Sequence, residues 1–136
     1  MTRHDLREQV FQLLFRVEFV SMEDMEEQVK LFFDYNDLQF NENDSDFIRA
    51  RYEAIVSNLS KIDETIEDKV TGWTISRIGK VELAVLRIAV YEILFDDDIA
   101  PGIAIDEAVE IAKKYGQANS GSFVNGVLAK LVKTDD

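Results

Sequence analysis

Residues 73–95 read WTISRIGKVELAVLRIAVYEILF and contain a long, mostly apolar helical segment. Its apolar side chains surround the helix almost completely instead of lining one face. They are Val81, Leu83, Val85, Leu86, Ile88, Ala89, Val90, Ile93 and Leu94. A helix that is apolar on nearly every side is stable in water only when other elements cover it. This stretch therefore predicts a central buried helix, around which the other elements pack.

The segments before it show the periodicity of amphipathic helices. In the first of them the apolar positions follow i, i+4, i+7, i+8 and i+11, and they are Leu6, Val10, Leu13, Leu14 and Val17. A hydroxyl residue followed three positions later by an acid is typical of a helix start. Three such pairs occur, namely Thr2 with Asp5, Ser21 with Asp24, and Ser60 with Asp63. An acidic loop is expected over residues 34–46.

The segments after it also predict helices. Residues 104–116, AIDEAVEIAKKYG, indicate a helix with acids in its first turn, lysines in its last turn and Gly116 past its end. Asn119 or Ser120 is expected to cap a last helix. No segment pattern favours β-strands. The fold class is therefore predicted as all-α, with about seven helices in one domain.

The amino-acid composition excludes several classes of functional site. The 136 residues have a net charge of −12 and include no cysteine. Disulfides, thiolate zinc sites and a cysteine nucleophile are excluded, and we expect a reducing cytoplasm. No apolar run approaches the roughly 20 residues of a membrane span. Because nucleic-acid binders gain affinity by neutralising phosphates, this acidic chain would need a local basic patch, together with a basic partner, to hold RNA.

Catalytic signatures are missing. The sequence has no phosphate-binding glycine loop, no dinucleotide fingerprint and no His-Glu-x-x-His motif. The one histidine, His4, lies at a helix end, where a solvated role is far commoner than catalysis. Three consecutive aspartates at residues 96–98 match no calcium-loop spacing, so a solvated loop is the better interpretation. We expect no enzyme activity, no metal and no cofactor.

Two helical segments have the residue types of a binding surface. On the first helix, basic and aromatic residues share one flank; they are Arg3, His4, Arg7, Phe11 and Phe15. Such groups hold phosphates and stack unpaired bases, but the rings can equally widen the core face, with the arginines as its rim. On the last helix, Asn125 shares a stripe with Leu128. Its amide either ties the helix to another backbone segment or contacts a base or ribose, and Gly126 beside it exposes backbone.

The central helix carries Glu82 and Arg87 among apolar neighbours, with Arg77 and Lys80 just upstream. They are either paired charges that fix helix packing or a polar strip for a protein partner.

Three ordered stretches resemble the carboxyl-terminal half of the NusB family of bacterial transcription antitermination factors. They read VELAVLRIAVYEILF, APGIAIDEAVEIAKKYG and SGSFVNGVLAKL, and LREQVFQLLF in the first helix agrees more loosely. The resemblance implies one compact helical domain over residues 1–136, with subdomains over about 1–72 and 73–136. It implies a non-catalytic role: binding the boxA element of ribosomal RNA leader transcripts as single-stranded RNA, together with the ribosomal protein NusE. The pair would join other Nus factors on RNA polymerase and suppress premature termination.

The resemblance also implies site residues. The RNA surface would lie at the starts of the first and last helices, and its residues would be Arg3, His4, Arg7, Phe15, Ser122, Phe123 and Asn125. The partner surface would surround the central helix, and its residues would be Arg77, Glu82, Asp97 and Asp98.

The chain departs from the family pattern at the RNA surface. A dense arginine run is reduced to Arg3 and Arg7, Phe15 stands where tyrosine is common, and Ser122 replaces a common basic residue. We therefore expect feeble RNA binding alone and higher affinity with the basic partner. The alternative is a helical interaction module, or a homodimer, with weakened RNA binding. Ribosomal RNA cytosine methyltransferases carry a similar helical domain, but because the sequence stops at Asp136 with no cofactor-binding segment, we expect no such activity.

Overall fold

The computed structural model describes residues 1–36, 38, 40–70 and 72–134. These residues form seven α-helices and none of them is in a β-strand, so the predicted all-α class is confirmed. The helices are α1 (Arg3–Phe15), α2 (Met22–Asp34), α3 (Glu42–Ser57), α4 (Leu59–Lys69), α5 (Lys80–Phe95), α6 (Pro101–Tyr115) and α7 (Ser120–Thr134). Two short 3₁₀ turns, Arg16–Glu18 and Ile75–Arg77, follow α1 and α4. Within these ranges no helix is long and apolar enough to cross a membrane.

The chain divides into two compact units, Met1–Val56 and Ser57–Asp136. The first unit holds α1 to α3 and the second holds α4 to α7. Helix α4 belongs to the second unit because it packs against α5 and α7. The division therefore lies before α4, whereas the sequence places the subdomain boundary near residue 72.

Helix α5 is the centre of the second unit, as predicted. Eight consecutive residues, Leu83 to Val90, are buried, and α4, α6 and α7 all pack against this helix. An amphipathic helix would return to solvent every third or fourth residue. The all-round apolar pattern of α5 thus corresponds to cover from three neighbouring helices.

The first unit has its own core. It is built from α1, α2 and α3, whose buried apolar residues are Leu6, Val10, Phe11, Leu13, Leu14, Met25, Val29, Phe32, Ile48, Tyr52 and Ile55. Burial raises the pKa of the Tyr52 hydroxyl. Two arginines extend this core by lying over rings, with Arg49 4.3 Å from the Phe33 centroid and Arg16 5.4 Å from the Phe32 centroid.

Of the three pairs of a hydroxyl residue and an acid, two lie at helix starts as predicted. The capping box of Thr2 and Asp5 is present, and the Thr2 hydroxyl and N–H hold the pKa of Asp5 below its usual value. The Ser21 hydroxyl accepts from the Asp24 N–H. The start predicted at Ser60 is wrong, because α4 already begins at Leu59, preceded by Asn58. The predicted acidic loop is shorter than expected, since α3 begins at Glu42, and residues 37 and 39 lie outside the described residues.

Helix α6 differs from its prediction at one end. It begins at Pro101, three residues before the predicted start, so its acids lie beyond the first turn. Proline suits this position because the first helical N–H has no partner within the helix. The lysines in the last turn and Gly116 after the end are confirmed.

Arg87 forms a two-point ion pair inside the second unit. Its Nε and Nη2 atoms each lie 2.9 Å from a different carboxylate oxygen of Asp63 on α4. Arg87 is 6% exposed, so its charge has little access to water. The pair therefore fixes α4 against α5, which favours packing over partner binding for this residue.

Asp63→Ala should destabilise the protein by about 3 kcal/mol, because it removes the carboxylate that both Nε and Nη2 of the buried Arg87 contact. Urea unfolding followed by circular dichroism measures this loss. Glu64→Ala, one residue away and exposed, is the matched control and should change stability by less than about 0.5 kcal/mol. Equal effects of the two substitutions would show that the ion pair does not hold α4 in place.

Candidate nucleic-acid interface

The start of α7 is anchored to α5 by one buried serine. Ser120 is 1% exposed, and its Oγ lies 2.6 Å from Oε1 of Glu82. Oγ of Ser120 also accepts a hydrogen bond from the Gln117 N–H, at 2.8 Å. Ser120 therefore joins α5, α7 and the turn before α7, in what we call the Ser120 junction (Glu82, Gln117 and Ser120). Of the two residues predicted as possible caps of the last helix, Asn119 directly precedes α7, whereas Ser120 is its first residue and uses its hydroxyl in this junction.

Two glycines leave room for the junction. A Cβ on Gly79 would meet Oε2 of Glu82, and a Cβ on Gly116 would meet Oγ of Ser120 and lie 2.7 Å from the Ala112 carbonyl oxygen. Real Cβ atoms essentially never come so close to other atoms. Glycine at residue 116 is thus required by the close packing around it. Its backbone conformation does not require glycine, because it is extended and not left-handed.

The junction determines which residues of α7 face outward. Over residues 120–132 its buried side chains follow i, i+4, i+7, i+8 and i+11, and they are those of Ser120, Val124, Val127, Leu128 and Leu131; Gly121 is buried beside them. Because successive helical residues are about 100° apart, Ser122, Asn125 and Gly126 emerge away from this stripe, and all three are exposed. The prediction that Asn125 shares the packed stripe is therefore wrong. Its amide is available at the surface, one helical turn after the exposed Ser122.

The backbone at the start of α7 is partly engaged. The Ser120 N–H donates to the Gln117 carbonyl at 3.0 Å, and the Phe123 N–H donates to the Asn119 carbonyl at 3.1 Å. The Ser122 hydroxyl donates to the same Asn119 oxygen at 3.1 Å. These two N–H groups are therefore not available to an anion, and the exposed side chains are the main candidates for contact.

A shallow groove of ≈ 280 Å³ lies beside these residues. We call it the Trp73 groove, and its lining residues are Lys69, Val70, Trp73, Ser122, Phe123, Gly126, Val127 and Lys130. Trp73 is 51% exposed. A Cβ on Gly126 would meet no other described part of the protein within 4 Å, so the helix surface there is open.

The predicted residues of the first helix belong to the other unit. Arg3 is exposed, with its guanidinium carbon 6.0 Å from the Phe47 ring centroid. His4 is half-buried, and its Nε2 lies 3.7 Å from a carboxylate oxygen of Glu8, one turn along α1. A carboxylate at this distance stabilises the protonated imidazole. Arg3 thus offers an accessible charge, whereas Glu8 competes with any phosphate for His4.

The rest of that flank is more buried than the sequence suggested. Arg7 is 7% exposed and Phe11 is 2% exposed, so Phe11 is a core residue. Phe15 is half-buried, and its ring centroid lies 5.7 Å from that of Phe11 and 5.0 Å from that of Phe19. Phe19, which sequence reasoning missed, is 60% exposed. The accessible ring on this flank is therefore chiefly that of Phe19.

The predicted partner residues fall into two groups. Glu82 is half-buried in the Ser120 junction, so its first role is structural. Arg77, Asp97 and Asp98 are exposed. Asp96 organises the loop after α5, because its side chain accepts the Asp98 N–H at 3.0 Å, and this leaves two carboxylates at the surface. Among the described residues, no group of three or more acids and histidines is placed to hold a metal ion.

Residues 4–133 match the model of the NusB family. The chain belongs to the NusB family. It is 48% identical over 132 residues to the transcription antitermination protein NusB of Agathobacter rectalis, a match that covers 96% of this chain and 98% of the relative. Among solved structures, T. maritima NusB is 38% identical with a TM-score of 0.86, and the match covers 98% of this chain and 92% of that chain.

A further NusB-family structure contains antitermination factors NusB and NusE in complex with double-stranded RNA. Its similar chain is 29% identical to this one with a TM-score of 0.84, and the match covers 98% of this chain and 99% of that chain.

Sequence reasoning missed the Trp73 groove for a physical reason. Lys130 lies four residues after Gly126 and seven after Phe123, so helical periodicity alone places these three on one flank. Trp73 and Lys69 come from the end of α4 and the segment after it. Nothing in local periodicity brings that segment beside α7.

Ser120→Ala should lower the free energy of unfolding by about 1–3 kcal/mol, because Oε1 of Glu82 and the Gln117 N–H lose their shared partner. Urea unfolding measures this, and faster hydrogen exchange at the Gln117 amide should accompany it. The control is Ser122→Ala, two residues further and exposed, with an expected change below about 0.5 kcal/mol. Unchanged exchange at Gln117 would contradict the junction.

Proposed function

We propose that this chain is a transcription antitermination factor that binds single-stranded boxA-type RNA of ribosomal RNA leader transcripts together with the ribosomal protein NusE. The complex joins other Nus factors on RNA polymerase in the cytoplasm, and the role requires no catalysis. The observation that carries the proposal is the exposed amide of Asn125 at the start of α7, one helical turn after the exposed Ser122, in a chain of the NusB family. The family relative solved with NusE and RNA supports the choice of partners.

Each residue of the α7 start has a distinct role in this proposal. Asn125 supplies an amide with two donors and one acceptor oxygen, which can hydrogen-bond to the edge of an unpaired base. Phe123 is half-buried, so its exposed part supplies a fixed apolar face for stacking. Ser122 supplies a hydroxyl within reach of the backbone of the RNA.

The first helix contributes charge to the same role. Arg3 is the accessible cation, and His4 adds a positive charge when it is protonated beside Glu8. Arg7 is largely buried and contributes mainly through its electrostatic field. Phe15 acts with the more exposed Phe19 as a ring platform. This limited set of cations explains why RNA affinity depends on a partner.

The negative net charge of the chain favours a basic protein as its partner. With a net charge of −12, the protein repels phosphates at long range and attracts a basic protein. Asp97 and Asp98 present carboxylates on the loop after α5, and the exposed Phe95 and Ile103 lie on either side of this loop in sequence. Acidic groups with apolar side chains nearby suit a basic protein partner that also touches RNA. Arg77 lies outside this acidic loop and is a weaker candidate.

Fluorescence anisotropy with labelled boxA RNA tests the proposal. The chain alone should bind weakly, and adding NusE should raise the affinity by at least about tenfold, because the partner neutralises phosphates that this acidic surface repels. Absence of a ternary complex at low salt would overturn the proposal. So would a stable homodimer, seen by sedimentation, that still excludes RNA when NusE is present.

Asn125→Ala separates base reading from general affinity in the same assay. Loss of the amide should reduce the preference for boxA over a scrambled RNA by roughly fivefold or more. Asn43→Ala, at an exposed position on α3, is the matched control and should leave this preference unchanged. An equal loss on both RNAs would argue against base reading by Asn125.

A further inference from the structure

The Trp73 groove is lined by basic and uncharged residues, although the chain as a whole is acidic. The chain contains 27 acidic residues, yet the described residues that line this groove include two lysines and no carboxylate. Lys130 is exposed, whereas the side chain of Lys69 is 15% exposed and its ammonium lies 3.3 Å from the Asp68 carboxylate. The groove thus offers positive charge to an anion.

The groove also combines aromatic surface with an open helix flank. The Trp73 side chain is half-exposed and Phe123 lies on the same lining. Gly126 leaves the backbone of α7 uncovered between Phe123 and Lys130, because a Cβ there would meet no other described part of the protein within 4 Å. Pockets that hold drug-sized ligands measure about 300–1,000 Å³, so this smaller, shallow groove suits one flat ring.

We propose that the Trp73 groove holds an unpaired nucleobase of the bound RNA, stacked on the indole of Trp73, with the adjoining phosphate near Lys130. The assignment rests on the RNA-binding role proposed above and extends that surface from the α7 start onto the segment after α4. Ser122 and Phe123 belong to both surfaces, so a strand that contacts Asn125 continues into the groove without a break. Aromatic stacking combined with a nearby cation is how proteins hold single-stranded RNA.

The open flank at Gly126 belongs to this assignment. Glycine is unfavourable inside a helix compared with alanine, and a Cβ here would strain nothing in the protein itself. Packing therefore gives no reason for glycine at this position, in contrast to Gly116. A base that lies against the bare helix backbone supplies one.

The experiment uses the full chain with NusE, and Trp73 is the only tryptophan of the chain. Titration with boxA RNA should quench its fluorescence, in parallel with anisotropy of the labelled RNA. Trp73→Ala should weaken RNA binding by roughly fivefold or more, while Trp73→Phe retains most of the affinity. Tyr35→Ala, at a ring that is 80% exposed on the other unit, is the control and should leave affinity unchanged.

A second variant, Gly126→Ala, separates a loss of RNA contact from a loss of folding. This variant should raise Tm, since alanine favours the helix, and yet weaken RNA binding several-fold because its methyl group enters the groove. Unchanged affinity in both Trp73→Ala and Gly126→Ala, with Asn125→Ala still impaired, would overturn the groove assignment and leave the α7 site standing. A Trp73 fluorescence change caused by NusE without RNA would assign the groove to the protein partner instead. Absence of RNA binding by the unmodified complex would overturn both proposals.

Discussion

The hydrogen bond between Ser120 and Glu82 is the constraint on which the candidate RNA surface depends. It buries the first residue of α7 against α5, and helical geometry then directs Ser122 and Asn125 outward. Because three helices pack against α5, its Glu82 carboxylate has a defined position within the second unit. The small residues at positions 79 and 116 make that approach sterically possible. A surface built on such a rigid element keeps its side chains in place before any ligand binds, which lowers the ordering entropy lost on binding.

Charge explains why we propose that this chain binds RNA together with a partner. Its net charge is −12, and the one arginine on the central helix, Arg87, is engaged in an ion pair with Asp63. What remains favourable for RNA is local: an amide, exposed rings and two lysines in one groove. Stacking and hydrogen bonding give specificity, whereas phosphate neutralisation gives most of the affinity. A division of labour between this chain and a basic partner follows from that difference.

Much of the fold was readable from the sequence because its signals are local. The all-round apolar pattern of α5 and the capping box at Thr2 depend only on neighbouring positions, and both predictions held. The start of α4 was placed wrongly because Ser60 had the right spacing but the helix begins before it. The Ser120–Glu82 bond joins residues 38 positions apart, and the Trp73 groove joins α7 to the segment after α4, so periodicity predicts neither. Exposure of Asn125 was likewise decided by the direction in which Ser120 is anchored.

The most direct test of the account is amide chemical-shift mapping of the labelled chain in complex with NusE, before and after addition of boxA RNA. Shifts caused by RNA should concentrate at Ser122, Phe123, Asn125 and Gly126, and should be small along the acidic exposed positions of α6 such as Glu110. Shifts confined to α6 or the loop after α5, with the α7 start unchanged, would contradict the central claim that α7 presents the RNA surface.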